Sequence, residues 1–84
     1  MPEVVIYTQD WCPYCVRAKT LLTQKGVAFN EIDAPSGTPA RAEAQARSGR
    51  TSVPQIFVGT AHIGGCDELM ALDRAGKLDA LLAA

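Results

Sequence analysis

Residues 3–26 read EVVIYTQDWCPYCVRAKTLLTQKG, and this stretch decides the fold. Its first part, Glu3–Tyr7, is a short β-branched apolar run without polar alternation, which predicts a strand buried on both faces and central in a sheet. Pro13 suits the first position of a helix, and Gly26 suits the left-handed position just past its end. The stretch therefore predicts a strand followed by a helix over Pro13–Lys25, with two cysteines at the junction.

Outside this stretch, strand and helix signals continue to alternate. Because a helix intervenes, the second strand should pair in parallel with the first through a right-handed crossover. The further predicted segments are strand Val27–Ile32, helix Pro39–Ser48 between Thr38 and Gly49, a hairpin of strands Gln55–Val58 and Ala61–Ile63, a helix from Asp67 to Gly76, and a last helical turn at Leu78–Leu82. The order βαβαββα predicts an α/β fold in a single domain over residues 1–84.

Composition narrows the classes of function. The chain has 48% hydrophobic and 20% charged residues, which argues against disorder, and its net charge of −1 gives no basis for binding nucleic acid or anionic lipid. No apolar stretch approaches the roughly 20 residues that span a bilayer, and Met1-Pro2-Glu3 does not resemble the start of a signal peptide. We expect a cytoplasmic monomer without membrane contact, whose three cysteines serve chemistry rather than a disulfide framework.

The sequence Trp11-Cys12-Pro13-Tyr14-Cys15 is the most informative motif. If Pro13 is the first helical residue, Cys12 is the N-cap, and its sulfur faces unpaired N–H groups that favour a thiolate. Cys15 lies one helical turn later, with its Cα about 5–5.5 Å from that of Cys12, which is within reach of a disulfide. The pattern predicts that Cys12 attacks and that the less exposed Cys15 resolves the resulting mixed disulfide.

Two other interpretations of the cysteines remain open. Cys12 and Cys15 could form half of a zinc site, for which His62 and Cys66 supply two further ligand types. The two cysteines of the motif could also be buried and inert. The position of the motif between strand and helix favours redox chemistry over both.

A second motif, Thr51-Ser52-Val53-Pro54, precedes an apolar strand. A proline here suggests a cis peptide bond, and an extended Val53 could pair its N–H and C=O with the backbone of a bound peptide. The alternative is a turn-forming proline at the first position of an edge strand.

A third motif, Gly64-Gly65-Cys66-Asp67-Glu68, opens a helix whose bare N–H groups could bind a carboxylate. Asp67 could in addition form a salt bridge with a ligand ammonium. The alternative is a capped helix start, with Asp67 as the cap and the glycines serving only the turn. Cys66 is most simply a small buried apolar residue.

These three motifs, in this order and spacing, resemble those of the glutaredoxins, specifically the small bacterial dithiol members with a Cys-Pro-Tyr-Cys site. The resemblance covers nearly the whole chain. Thioredoxins fit less well, because they carry Gly-Pro between the cysteines and lack the Gly-Gly-Cys-Asp stretch.

The resemblance implies a thioredoxin-like fold, with a four-stranded mixed sheet in the order 2-1-3-4, three main helices and a glutathione groove. It implies reduction of protein-glutathione mixed disulfides and protein disulfides, with glutathione as co-substrate, no bound cofactor or metal, and glutathione reductase as an indirect partner. The implied catalytic residues are Cys12 and Cys15, and the implied glutathione-binding residues are Tyr14, Ser52, Val53, the cis-proline Pro54, Cys66 and Asp67.

The sequence departs from the family pattern at two positions. Gln9 stands where many members have a lysine, and the missing cation could be supplied by the second helix, through Arg41 or Gln45, or by the first, through Arg17 and Lys19. Glu68 replaces a second aspartate.

Two further points remain open on the sequence alone. Trp11 could form an exposed rim for substrates, shield the thiol or pack on the helix start. Some glutaredoxins hold a [2Fe–2S] cluster between two chains, but Pro13 argues against that function here, because cluster-binding members usually have Gly or Ser near this position.

Overall fold

The computed structural model describes residues 2–83 and contains one four-stranded mixed sheet. The elements are β1 (Val4–Thr8), α1 (Pro13–Gln24), β2 (Asn30–Asp33), α2 (Pro39–Ser48), β3 (Gln55–Val58), β4 (Ala61–Gly64), α3 (Cys66–Arg74) and α4 (Leu78–Ala83). The strand order is β2-β1-β3-β4, with β1 parallel to β2 and antiparallel to β3, and β3 antiparallel to β4. This thioredoxin-like arrangement confirms the predicted order 2-1-3-4.

Strand β1 holds the two halves of the core together. All five of its residues are buried, as predicted for a central strand. Its side chains alternate between the faces of the sheet: Val4 and Ile6 belong to one apolar cluster, and Val5 and Tyr7 belong to the other. The first cluster includes residues of α1, α3 and α4, and the second includes Ala44 of α2. Helices therefore cover both faces, and the loop after β1 carries the cysteine motif.

The predicted second strand began too early. Helix α1 ends at Gln24, and Gly26 adopts the expected left-handed conformation with φ of 71°. The Val27 N–H then donates to the Leu22 carbonyl, which closes the end of the helix. Val27 is therefore part of the helix cap, and the strand begins only at Asn30.

Smaller differences concern the ends and faces of other elements. Strand β1 runs from Val4 to Thr8 rather than from Glu3 to Tyr7, and β4 extends through Gly64. Val16 is apolar and stands at helical spacing with the buried Ala18, Leu21 and Leu22, but it is 57% exposed, because it lies roughly 100° around the helix from the buried Cys15. Within the described part of the chain, no helix is both long and apolar enough to cross a membrane.

The buried hydroxyl of Tyr7 anchors α2 to the sheet. It accepts a hydrogen bond from Arg47 Nη1 at 2.9 Å and donates one to Glu43 Oε1 at 3.0 Å. The guanidinium carbon of Arg47 also lies 4.1 Å from the centre of the Phe57 ring. Arg47 thus combines a hydrogen bond to a buried group with a cation–π contact.

We expect Arg47→Met to lower the free energy of unfolding by about 1–2 kcal/mol, since it removes both interactions while keeping an unbranched side chain. Urea denaturation followed by circular dichroism measures the change. Arg74→Met, in the exposed last turn of α3, is the matched control and should stay within about 0.5 kcal/mol of the unmodified chain. Equal stability of the two variants would contradict the anchoring role.

Candidate active site

Cys12 is the N-cap of α1, as predicted, with extended backbone angles φ −107° and ψ 102°. Its Sγ accepts a hydrogen bond from the Cys15 backbone N–H at 3.2 Å. The sulfur also lies 3.9 Å from the carbonyl oxygen of Val53, to which the thiol donates. Because the side chain is partly exposed, a substrate sulfur can approach it from solvent.

Cys15 lies in the same helical turn but is only 1% exposed. Burial raises the pKa of its thiol to about 12, and the hydrogen bond with Cys12 adds to the shift. At neutral pH Cys15 is therefore protonated. The two thiols differ in access, since Cys12 is partly exposed and Cys15 is buried, which suits separate attacking and resolving roles.

A groove of roughly 220 Å³ adjoins Cys12 on the side of Val53. Its lining includes every residue that the sequence predicted for the binding of a ligand: Tyr14, Ser52, Val53, Pro54, Cys66 and Asp67. The peptide bond between Val53 and Pro54 is cis, as predicted. Among residues 2–83, no group accepts a hydrogen bond from the Val53 backbone N–H, so this donor can pair with a ligand.

Arg50 and Glu68 also line the groove, although neither was predicted from the sequence as a binding residue. Glu68 Oε1 accepts hydrogen bonds from the Gly65 N–H, at 2.8 Å, and from the Arg50 guanidinium. These two donors, the Gly65 N–H first, lower the pKa of Glu68, which is therefore ionised at neutral pH. A side chain at Gly64 would bring its Cβ within 2.6 Å of the same oxygen.

The N-cap of α3 is not Asp67, which was one of the two interpretations of this helix start. The N-cap is Gly65, and Glu68, three residues later, satisfies its N–H in the manner of a capping box. The Asp67 carboxylate is exposed and accepts no hydrogen bond from residues 2–83. Asp67 is therefore available to a ligand.

Arg41 supplies a cation next to Gln9. Its Nη1 donates to Gln9 Oε1 and to the Ala34 carbonyl, both at 2.9 Å. Its Nε and Nη2 donate to the carbonyl of Thr51 at 3.2 and 3.0 Å. One guanidinium thus joins the loop after β1, the segment after β2 and the loop that leads to Ser52.

The other cations proposed for this place are engaged elsewhere. Lys19 forms an ion pair with Glu31 at 3.0 Å, and the guanidinium of Arg17 lies 5.7 Å from the centre of the Tyr14 ring. Of the candidates that the sequence left open, Arg41 is the one that contacts Gln9.

Comparison with known proteins identifies the family to which this site belongs. A family model described as glutaredoxin matches residues 4–63. The chain belongs to the glutaredoxin family. It is 61% identical over 84 residues to a glutaredoxin of Pseudomonas aeruginosa, with 100% of both chains covered. Membership of this family supports a thiol oxidoreductase function.

Solved glutaredoxin structures have the same fold. The solution structure of glutaredoxin from Brucella melitensis is 63% identical, with a TM-score of 0.85 that covers 98% of this chain and 89% of that one. The crystal structure of a buckwheat glutaredoxin-glutathione complex is 33% identical, with a TM-score of 0.87 that covers 98% of this chain and 77% of that one.

Gln55 is a buried polar residue that supports the Ser52 wall of the glutaredoxin groove, a role that no sequence pattern predicted. Its amide Nε2 donates to the Ser52 carbonyl at 3.0 Å, and its Oε1 lies 2.8 Å from His62 Nε2. His62 is therefore engaged with Gln55.

Within residues 2–83, no group of three or more His, Cys, Asp or Glu side chains is arranged to hold a metal ion. The zinc interpretation has no support in this geometry.

Trp11 is 99% exposed and has a φ of 60°. This exposure contradicts both packing of the indole on the helix start and shielding of the thiol. Of the three interpretations left open by the sequence, only an exposed rim agrees with the glutaredoxin structure.

Proposed function

We propose that this single domain is a glutathione-dependent oxidoreductase that reduces protein-glutathione mixed disulfides and protein disulfides. The observation that carries the proposal is the groove beside Cys12, which offers the unpaired Val53 N–H and the exposed carboxylate of Asp67 to one ligand. A tripeptide with a cysteinyl backbone in the middle and an α-ammonium at one end complements these groups. The buckwheat relative that was solved in complex with glutathione supports this choice of ligand.

In the first step, the Cys12 thiolate attacks the glutathionyl sulfur of a glutathionylated protein. A disulfide forms between Cys12 and glutathione, the original disulfide breaks, and its electron pair leaves on the protein sulfur, which takes up a proton. A second glutathione thiolate then attacks the glutathione sulfur on Cys12. This step releases oxidised glutathione and restores the Cys12 thiolate.

Protein disulfides require Cys15 as well. Cys12 attacks one sulfur of the substrate and forms a mixed disulfide with the protein. Cys15 then loses its proton and attacks Cys12, which releases the reduced protein and leaves a disulfide between Cys12 and Cys15. Two glutathione molecules reduce this disulfide, and glutathione reductase regenerates them.

Each part of the groove has a proposed role in holding glutathione. Val53 pairs with the cysteinyl backbone as a short antiparallel strand would, and Ser52, Pro54 and Tyr14 shape the walls around it. The first N–H groups of α3, at Cys66 and Asp67, bind the γ-glutamyl carboxylate, and the Asp67 side chain binds its ammonium. Arg41 contacts Gln9 and the Thr51 carbonyl. Its positive charge favours binding of the glycyl carboxylate of glutathione near these residues.

Two conjugates of one peptide test glutathione dependence. The cysteine of the peptide is linked by a disulfide either to glutathione or to cysteinylglycine, which lacks the γ-glutamyl group. We expect kcat/KM for release of the peptide thiol, measured by chromatography, to be about tenfold higher for the glutathione conjugate. Equal values would show that the γ-glutamyl group is not recognised and would overturn the proposal.

Asp67→Asn provides the matching test in the protein. Loss of the carboxylate should raise KM for the glutathione conjugate by roughly twofold to fivefold, with kcat nearly unchanged, because an ion pair at an exposed site is removed. The cysteinylglycine conjugate should respond little, since it lacks the ammonium that Asp67 binds. Asp33→Asn, at the end of β2, is the control. An equal rise in KM for both conjugates would contradict the pairing.

A further inference from the structure

Trp11 combines two unfavourable features. It is the single tryptophan of the chain, and its side chain is 99% exposed. It is also the only residue other than glycine among residues 2–83 with a positive φ, at 60°. A fully exposed indole contributes no burial free energy to the fold, and the left-handed region of backbone conformation is unfavourable for a residue with a Cβ. The fold itself therefore does not explain the indole at this position.

Trp11 lies outside the groove but next to the attacking cysteine in sequence. Tyr14 follows Cys12 and lines the groove, whereas Trp11 precedes Cys12 and does not line it. Disulfide exchange proceeds with the attacking, central and leaving sulfurs nearly in line, so the leaving half of the substrate lies outside the pocket that holds the glutathionyl half. For a glutathionylated protein, that leaving half is the polypeptide.

We propose that Trp11 is the docking residue for the polypeptide half of the substrate, and this inference rests on the proposed function. The indole packs on the backbone and apolar side chains that flank the modified cysteine of a locally extended segment. The left-handed backbone conformation holds the ring out of the protein surface beside Cys12. Trp11 thus selects protein mixed disulfides over small ones without contributing to the groove.

The first test compares two substrates on variants that keep the backbone conformation. Glycine adopts a φ of 60° without strain, so Trp11→Gly removes the ring while relieving the backbone. We expect its kcat/KM for glutathionylated serum albumin to fall roughly fivefold to tenfold, mainly through KM, because an aromatic packing contact is lost. Turnover of the mixed disulfide of glutathione and 2-mercaptoethanol should stay within about twofold, since that substrate has no polypeptide.

Two further variants separate docking from other effects. Trp11→Phe keeps an aromatic ring and should retain most of the activity on albumin. Val16→Ala shortens another apolar side chain, which is 57% exposed on α1, and should leave the kinetics with both substrates unchanged. Because Trp11→Gly relieves strain, its melting temperature should be unchanged or higher, so that reduced activity on albumin is not due to unfolding.

The second test uses Trp11 as its own reporter. In a Cys15→Ser background, Cys12 is converted to a mixed disulfide with either glutathione or a leucine-flanked cysteine peptide. We expect tryptophan emission to move to shorter wavelength only with the peptide, since only the peptide covers the indole.

The outcomes distinguish this inference from the proposed function. Equal albumin kinetics of Trp11→Gly and the unmodified chain, or identical emission spectra of the two adducts, would overturn the docking role and leave the glutathione assignment intact. Failure of the unmodified chain to turn over the 2-mercaptoethanol disulfide would overturn the proposed function, and the docking inference with it.

Discussion

Cys12→Ser is expected to lower turnover of both glutathionylated and disulfide-bonded proteins by at least about a thousandfold, because a serine hydroxyl at neutral pH does not replace a thiolate as the nucleophile. The structure gives Cys12 the partly exposed position and the helix N-terminus that an attacking sulfur needs. An assay coupled to glutathione reductase, which follows NADPH consumption, measures the loss. Activity of Cys12→Ser near that of the unmodified chain would refute the assignment of the nucleophile.

Cys15→Ser separates the two reactions in the same assay. Deglutathionylation needs only Cys12 and a second glutathione, so this variant should retain that activity within a fewfold. Reduction of a protein disulfide needs the resolving attack and should fall by at least about a hundredfold. Parallel loss of both activities would mean that Cys15 supports the site structurally instead of acting as the resolving thiol.

The resolving step should depend steeply on pH. The pKa of Cys15 is raised to about 12, mainly by burial, so the reactive thiolate is a small fraction at neutral pH and grows as the pH rises. Conversion of Cys12 to a mixed disulfide alters the contributions of the Cys12 thiol to the raised pKa of Cys15, but burial, the largest cause, remains. The rate of glutathione release from the Cys12 adduct should therefore rise about tenfold per pH unit, or about a hundredfold from pH 6 to pH 8.

Rapid-quench experiments on the purified adduct, without free glutathione, measure this rate directly. The Cys15→Ser adduct is the control and should release no glutathione over the same period. A rate that stays level between pH 6 and pH 8 would show that Cys15 is already ionised when it attacks, which contradicts the protonation inferred from its burial.

The fold could be predicted largely because its strongest signals are local. An apolar strand with no polar alternation, a proline that opens α1 and glycines that end α1 and α2 each act within a few residues. The early start predicted for β2 had a local cause as well. Val27 has the composition of a strand residue, but its N–H completes the end of α1, and this hydrogen bond outweighs β propensity.

The binding side of the site was predicted less completely, because several of its contacts join residues far apart in sequence. Arg50 and Glu68 meet across 18 positions, and Arg41 reaches Gln9 across 32. No local sequence pattern predicts contacts between residues so far apart in the chain. Glu68 alone had a usable signal, since a glutamate three residues after a helix N-cap is a capping-box pattern. With Asp67 taken as the N-cap, Glu68 does not stand at the third position of the helix, so the capping-box pattern is not apparent.

The tether formed by Arg41 has a mechanical consequence. Its planar guanidinium presents several donors in fixed directions, so one side chain fastens the segment that carries the attacking sulfur to the loop that forms the opposite wall. A lysine in its place has three donors on one freely rotating nitrogen and would hold the three segments less rigidly. The two sides of the cleft should consequently move as one rigid body, so that their separation is preserved while substrates enter and leave.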